Sequence, residues 1–287
     1  MKYQVIQTNH FTYEEPVKRN INQFRLKPFD DDHQRCLSFE KKIIPATSCH
    51  AYEDYWGNHV EIFYLWDPHD SLIIETTSVV EVYRKGKPDE IAFSFEDLER
   101  KGFNQSHAEF LAQTDYTRVN KEKMAEATED LWVRSSDPFD FVGLLNGYLY
   151  ENFKYIPGST TVETTAEEVL EKMEGVCQDY THLMLGLCRY RGIPSRYVSG
   201  YIYSGENSAI RGDAATHAWV EVAFPEIGWI GFDPTNNMLA DDQHIKLAVG
   251  RDYKDIVPVK GVYIGGSQQL DVKVRVKRVN EEDPLTE

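Results

Sequence analysis

Residues 175–233 constrain the fold of this chain most, because they place one amphipathic helix before three strand patterns. The helix begins at Cys177 and ends near Gly192, and Pro194 does not allow it to continue. Its apolar residues recur at the i, i+3, i+4 and i+7 spacing of a single buried face, namely Tyr180, Leu183, Met184 and Leu187. The pattern therefore predicts a helix with one buried face, and strands after it.

Cys177 lies in the first turn of this helix. A shorter helix is expected before it, at residues 166–174, because Thr165 and Glu168 form a T-x-x-E capping box and Gly175 follows. The first N–H groups of a helix have no intrahelical acceptor and lie at the positive end of its dipole, which favours thiolate over thiol. Although a lone cysteine in a helix is more often a packing residue, this is the position expected of a reactive one.

The strand patterns lie at residues 195–203, 216–224 and 229–233. Strict alternation puts His217 and Trp219 on one face of the second strand, and Asp233 ends the third. If these two strands form a hairpin about residue 225, opposite residues have numbers that sum to 450, so His217 faces Asp233 with their Cβ atoms about 5 Å apart. A one-residue slip would separate them. In this register the carboxylate fixes the tautomer of the imidazole, and the other ring nitrogen accepts the proton of a thiol.

The strings GVCQDYTHLMLGLCRYRGIPSRYVSGY and THAWVEVAFPEIGWIGFDPTNN resemble the core of the transglutaminase-like superfamily, in particular bacterial members described as cysteine proteases. The strings MKYQVIQTNHFTYEEPV and DYWGNHVEIF resemble the β-rich N-terminal region of those proteins, and GRDYKDIVPVKGVYIGG resembles their C-terminal end. The resemblance implies an α+β fold with a papain-like core, in which Cys177, His217 and Asp233 are the catalytic residues. The family's oxyanion-stabilising side chain is not matched to a residue here.

Together, pattern and resemblance divide the chain into four parts. We expect an antiparallel β domain at residues 1–85, a connector with short helices at 86–125, the catalytic core at 126–280 and a tail at 281–287. We expect the β domain to cover one side of the core rather than to bind substrate. Within these parts, Gly57-Asn58 predicts a hairpin turn, and two helices are expected, at residues 121–132 and from Asp137-Pro138 to residue 153.

The composition of the chain limits the classes of binding partner and the cellular compartment that we expect. The 31 basic and 47 acidic residues give a net charge of −16, which argues against nucleic acid or an anionic membrane as a partner. With no apolar run of membrane-spanning length and no signal-peptide pattern, we expect a cytoplasmic protein. The four cysteines contain no C-x-x-C pair, so a disulfide-stapled fold is not expected. No cofactor is expected, and the oligomeric state stays open.

The predicted activity is acyl transfer on a peptide or protein amide through a thioester at Cys177, with water as the first choice of acceptor. Transamidation to an amine is the alternative. A non-catalytic binding module would retain the fold without the chemistry. A zinc site made of Cys177, His182, Cys188 and His217 is disfavoured, because the spacings match no structural-zinc pattern. Asp179 is interpreted as a first-turn anion, and His182 and Cys188 as structural residues.

Overall fold

The computed structural model describes residues 1–84, 93–205, 211 and 216–279. The fold is α+β, as the resemblance implied, and the described residues form two large antiparallel sheets with helices packed on the second. The strands of the first sheet are β1 (Lys2–Phe24), β2 (Gln34–Ile44), β3 (Cys49–Glu53), β4 (His59–Leu65), β5 (His69–Val82), β13 (Val259–Ile264) and β14 (Gln268–Arg278). Those of the second are β8 (Ser195–Ile202), β9 (His217–Phe224), β10 (Gly228–Asp233), β11 (Met238–Leu239) and β12 (His244–Gly250).

The long strand β1 organises the first sheet, which we call the N-terminal sheet. Its residues alternate between buried and partly exposed, as expected for a strand with one face on a core. The N-terminal half of β1 pairs with β5 on one side and with β14 on the other. The C-terminal strands β13 and β14 thus belong to the sheet that begins the chain. The predicted boundaries at residues 85, 125 and 280 remain predictions.

The second sheet, which we call the core sheet, has the order β11-β10-β9-β8-β12. Every residue of β9 is buried, since a central strand is covered on both faces. One face carries Val220, Val222 and Phe224, which pack with the helices in the main apolar core. The helices are α1 (Phe95–Leu98), α2 (Lys101–Ser106), α3 (Ala108–Leu111), α4 (Lys121–Arg134), α5 (Pro138–Asn152), α6 (Ala166–Lys172) and α7 (Cys177–Tyr190), with a 3-10 turn at Tyr253–Asp255.

Helices α4, α5 and α7 confirm the positions predicted for them, and Asp137 caps α5 through the N–H of Asp140. The predicted end of α6 at Gly175 was wrong. This helix ends at Lys172, because Met173 turns into the left-handed conformation at φ 53°, and Glu174–Gly175 then forms strand β7, which pairs with β6 (Lys154–Tyr155). None of the helices in the described ranges has the length and apolarity needed to span a bilayer.

The β9-β10 hairpin has a register different from the predicted one. Gly228 lies opposite Phe224 and Phe232 opposite Val220, so paired residue numbers sum to 452 and not to 450. The turn is centred one residue later than expected, with Glu226 at φ 65° in its middle. Because the change moves the pairing by two residues, every side chain keeps its face. His217 and Asp233 therefore remain on one face, as diagonal rather than direct neighbours.

The N-terminal part of the chain covers the open edge of β12, the outermost strand of the core sheet. The side-chain amide of Gln34 donates to the carbonyl of Lys246 and accepts its N–H, at 2.8 Å each. Asn58 does the same with Val249, at 2.8 and 2.7 Å. These two side-chain amides make the backbone hydrogen bonds that a neighbouring strand would otherwise make with β12. They thereby connect the N-terminal part of the chain to the core sheet.

Candidate active site

Cys177 is the first residue of α7, and its partly exposed side chain lies on a cavity. The helix start is fixed by Asp179, whose Oδ2 accepts the N–H of Val176 at 2.7 Å and the hydroxyl of Thr160 at 2.6 Å. Asp179 therefore lies in the first turn and caps it, as predicted, although burial raises the pKa of its carboxyl. A Cβ on Gly175 would lie 2.7 Å from Asp179 Cβ, so a glycine is needed beneath the capping carboxylate.

His217 is the first residue of β9, and this position places its side chain beside the thiol of Cys177. Its Nε2 lies 2.7 Å from Asp233 Oδ2, and both side chains are almost completely buried. Burial alone would lower the pKa of His217, but the adjacent Asp233 carboxylate, with a contribution from the Cys177 side chain, raises it well above the usual value. Because Nε2 is directed at Asp233, Nδ1 is the nitrogen left for the thiol. Nδ1 has no hydrogen bond of ordinary geometry among the described residues, which is common at catalytic contacts before substrate binds.

Asp233 is held by several donors at the end of β10. In addition to His217, its oxygens accept the N–H groups of Thr235 and Asn236, at 2.9 and 3.2 Å, and the side-chain amide of Asn236 at 2.8 Å. Burial works to raise the pKa of this carboxyl, but the charges and hydrogen bonds of His217 and His244 hold it far below its usual range. The carboxylate is therefore ionised and fixed in position at neutral pH.

His244 is a site residue that sequence reasoning missed. It begins β12 and is completely buried, with Nε2 3.3 Å from Asp233 Oδ2 and Nδ1 3.2 Å from Asp241 Oδ1. Trp219 packs against both imidazoles, with its ring centroid 6.2 Å from that of His217 and 5.3 Å from that of His244. No local pattern marks His244, because its contact with Asp233 depends on β12 crossing to the far side of β8.

The cavity beside Cys177 has a volume of about 240 Å³ and is lined by both sheets. Cys177 and His217 lie in its wall together with Tyr197 and Ser199 of β8. The remaining wall includes side chains of the N-terminal sheet, namely Gln7 and Asn9 of β1 and Leu270 and Val272 of β14. The N-terminal sheet thus does more than cover the core, because it forms part of the cavity that contains the thiol.

The residues of the zinc alternative are not brought together as a ligand group in the part of the chain that the structure describes. Cys188 is buried in the apolar core, and His182 is stacked on Tyr116 with Nε2 accepting the N–H of Tyr253. The group of metal-ligand types found among the described residues is His217, Asp233 and His244, with donor atoms within 4.8 Å. A metal there would displace the hydrogen bonds that join both imidazoles to the carboxylate.

Two family models match the chain. The model described as "Transglutaminase-like superfamily" matches residues 125–234, and the one described as "Bacterial transglutaminase-like N-terminal region" matches residues 3–81. The first match contains α7 and both strands that carry His217 and Asp233. The second contains β1 with Gln7 and Asn9.

Similar proteins span the full chain. An uncharacterized protein of Mycobacterium leprae is 33% identical over 97% of this chain and 99% of its own length. The protein-glutamine gamma-glutamyltransferase of Pseudomonas aeruginosa is 31% identical, over 38% of this chain and 18% of that protein. A crystal structure from Cytophaga hutchinsonii, described as a "putative cysteine protease", has a TM-score of 0.75 at 19% identity and covers 99% of this chain and 92% of that one. At that identity the likeness concerns the fold.

Proposed function

Since the chain belongs to the transglutaminase-like superfamily, we propose that it catalyses acyl transfer on amide bonds through a thioester at Cys177, with water as the acceptor. The observation that carries this proposal is the buried ion pair of His217 and Asp233, 2.7 Å apart, beside a thiol at a helix start and on a cavity. A buried imidazole–carboxylate pair next to a nucleophile is the arrangement that activates it.

The chemistry follows from the positions of these groups. In the resting site the proton of the Cys177 thiol lies on His217 Nδ1, because the raised pKa of His217 favours the imidazolium, and the thiolate adds to the carbonyl carbon of the amide. The resulting oxyanion accepts the N–H of Cys177, which has no intrahelical partner in the first turn of α7. His217 then passes its proton to the departing amine as the C–N bond breaks, and Asp233 stabilises the imidazolium throughout.

The second half of the reaction releases the acyl group. A water molecule loses a proton to His217 and attacks the thioester, and the thiolate leaves and regains the proton. The products are a carboxylic acid and the free enzyme. Because Cys177 is partly exposed on its cavity, water reaches the thioester without a conformational change. Transamidation, in which an amine replaces this water, is the second candidate, and the name of the relative from Pseudomonas aeruginosa favours it.

Selective alkylation tests the nucleophile directly. We would measure the rate of labelling of each cysteine by iodoacetamide between pH 5 and pH 9, by mass spectrometry, in the wild type and in His217→Ala. Burial raises the pKa of Cys36 to about 11 and that of Cys188 to about 12, and it also raises the pKa of Cys49, so these thiols are internal controls. Cys177 is expected to react fastest below pH 7, and His217→Ala to abolish that advantage. Equal rates at Cys177 in both proteins would contradict the proposal.

The acceptor is tested with casein as substrate, with and without added dansylcadaverine. Hydrolysis converts glutamine to glutamate or exposes new peptide termini, whereas transamidation at glutamine adds the mass of the amine less that of the ammonia released. We expect hydrolysis products that are lost in Cys177→Ser. Amine incorporation in excess of hydrolysis would overturn water as the preferred acceptor and leave the thioester chemistry in place.

A further inference from the structure

The inward face of β1 carries two amides in a row of otherwise apolar or aromatic side chains. This buried row consists of Tyr3, Val5, Gln7, Asn9, Phe11 and Tyr13. Gln7 and Asn9 are 1% and 2% exposed, so each is more than nine-tenths buried. Buried amides cost free energy unless they are hydrogen-bonded, and a structural role therefore requires partners for both of them.

A short chain of hydrogen bonds fixes these amides. The hydroxyl of Tyr201 donates to Gln7 Oε1 at 2.5 Å, and Gln7 Nε2 donates to Asn9 Oδ1 at 3.0 Å. The opposite orientation of both amides would leave the buried hydroxyl hydrogen of Tyr201 without this acceptor. The hydroxyl therefore sets the direction of the chain, and the Nδ2 group of Asn9 is its free end.

Asn9 Nδ2 is buried and has no hydrogen-bond partner among the described residues. Asn9 also lines the cavity that contains Cys177 and His217. An unsatisfied buried donor costs free energy, and such a group in a native protein calls for an explanation. An unpartnered donor that is held in place by Gln7, in a residue that lines the reactive cavity, fits the carbonyl oxygen of a ligand.

The charge of the cavity wall indicates the class of that ligand. The described residues that line it include no aspartate, glutamate, lysine or arginine. Beside Asn9 on the same sheet, Val272 of β14 pairs with Asn9 and Leu270 pairs with Phe11, and both present apolar side chains to the cavity, 39% and 46% exposed. A neutral ligand with a carbonyl group and an apolar portion, such as an uncharged peptide segment, matches both features. A charged substrate would lose hydration there without a free partner, because the charge of His217 is already paired with Asp233.

We propose that Asn9 Nδ2 donates a hydrogen bond to a carbonyl oxygen of a neutral peptide acyl donor, so that the N-terminal sheet forms part of the substrate site. This inference rests on the proposed function, because it assumes that Cys177 attacks an acyl donor in the same cavity. It assigns substrate recognition to β1, and the chain Tyr201–Gln7–Asn9 preorganises the donor before substrate arrives.

The test compares two reagents that modify Cys177. One is an N-acetyl-Ala-Ala-Gln chloromethyl ketone, which carries peptide carbonyls. The other is methyl methanethiolsulfonate, which has none. Second-order labelling rates are measured by mass spectrometry in the wild type, Asn9→Ala, Asn9→Asp and Thr8→Ala. Thr8 is the matched control because it is the neighbouring residue on β1 and does not line the cavity.

In Asn9→Ala the ratio of the ketone rate to the thiosulfonate rate is expected to fall about tenfold, the value of one hydrogen bond of about 1.4 kcal/mol. Asn9→Asp is expected to lower the ratio at least as far, because it replaces the donor by an acceptor of similar shape. Thr8→Ala is expected to leave the ratio unchanged.

Two results would overturn the inference while leaving the proposed function intact. An unchanged ratio in both Asn9 variants would show that Nδ2 does not contact the ligand. Equal losses with both reagents would show that Asn9 acts on the thiol or on folding, which melting temperatures of the variants would distinguish. If wild-type Cys177 is inert even to the thiosulfonate, the proposed function fails, and the inference falls with it.

Discussion

Asp233 connects the parts of the site, because its two oxygens accept hydrogen bonds from residues of three neighbouring segments. His217 approaches from β9, His244 from β12, and Thr235 and Asn236 from the turn that follows. Sequence reasoning found the contact with His217 because both residues belong to one hairpin. It could not find His244, because β9 and β8 lie between β10 and β12 in the sheet, and no sequence spacing relates strands that are not adjacent.

Asp233→Asn tests this carboxylate. The amide presents its own N–H groups to donors, so the ring of His217 loses its fixed tautomer, and we expect kcat to fall about 10³–10⁴-fold. The loss of a buried charge partner should also lower the free energy of unfolding by about 3–5 kcal/mol. Steady-state kinetics and urea unfolding measure the two effects. Nearly unchanged kcat in a folded variant would exclude Asp233 from the mechanism.

His244 is expected to act through Asp233 as a positioning residue. In His244→Ala the carboxylate keeps its bond to His217 but loses a neighbour that holds it in place, so we expect kcat to fall about tenfold with little change in KM. The basic limb of the pH–kcat profile should move to lower pH, since a mobile carboxylate stabilises the imidazolium of His217 less. A variant with lower stability but an unshifted profile would show that His244 is only structural.

At the scale of elements, the sequence predicted the faces of the strands better than their register. Alternation along β9 fixed which side chains share a face, because the period of a strand is two residues. The centre of the turn depended on the conformation of the three loop residues between the strands, which no sequence pattern predicts. The observed register therefore differs from the predicted one by two residues. The helix start at Cys177 was predictable from Gly175 before it and from the apolar spacing after it. The left-handed end at Met173 was not, since a non-glycine residue carries no signal for it.

The close approach of Gly175 to Asp179 at the start of α7 predicts the effect of replacing this glycine. In Gly175→Ala the new methyl group lies 2.7 Å from Asp179 Cβ, so the cap that fixes the helix start must shift. We expect a loss of about 1–3 kcal/mol in the free energy of unfolding and slower alkylation of Cys177. Gly143→Ala is the control, because Gly143 is an exposed position of α5 with no atom within 4 Å of the new Cβ, and it should stabilise by about 0.5–1 kcal/mol. Equal effects of the two changes would exclude the close contact.

At the scale of the whole molecule, a buried group of charges joins the two sheets. Lys246 of β12 contacts Glu221 of β9 at 2.5 Å and Asp31 of the N-terminal part at 2.6 Å, and Arg196 of β8 contacts Glu221 at 2.7 Å. Burial would raise the pKa of Glu221, but Lys246 and Arg196 outweigh it and hold that pKa far below the usual value. None of these pairings was predicted, because the participants are distant in sequence.

Acid should weaken this junction. A carboxyl with a depressed folded-state pKa stabilises the protein above its unfolded pKa of about 4.3, and this contribution is lost as the pH falls toward the folded value. We expect the free energy of unfolding, measured in urea, to decrease below about pH 4. Glu221→Gln should cost about 3–5 kcal/mol at pH 7, because Lys246 is left buried without its main partner.

In Glu221→Gln the remaining decrease at low pH should be smaller than in the wild type, since the titrating group is gone. Asp233 and Asp31, whose pKa values are also lowered, account for what remains. If the pH dependence of the variant equals that of the wild type, the ion pair of Lys246 and Glu221 does not contribute to acid stability.

The pairing of β1 with β14 has a consequence for the order in which the cavity is built during synthesis. A ribosome adds about 5–20 residues per second, so Cys177, His217 and Asp233 are all synthesised seconds before β14 emerges. Until then Leu270 and Val272 are missing from the cavity wall, and β1 has an unoccupied edge along Gln7 and Asn9. The growing chain thus contains Cys177, His217 and Asp233 before the wall of the cavity beside them is complete. The pairing of β14 with β1 is the step that closes this wall.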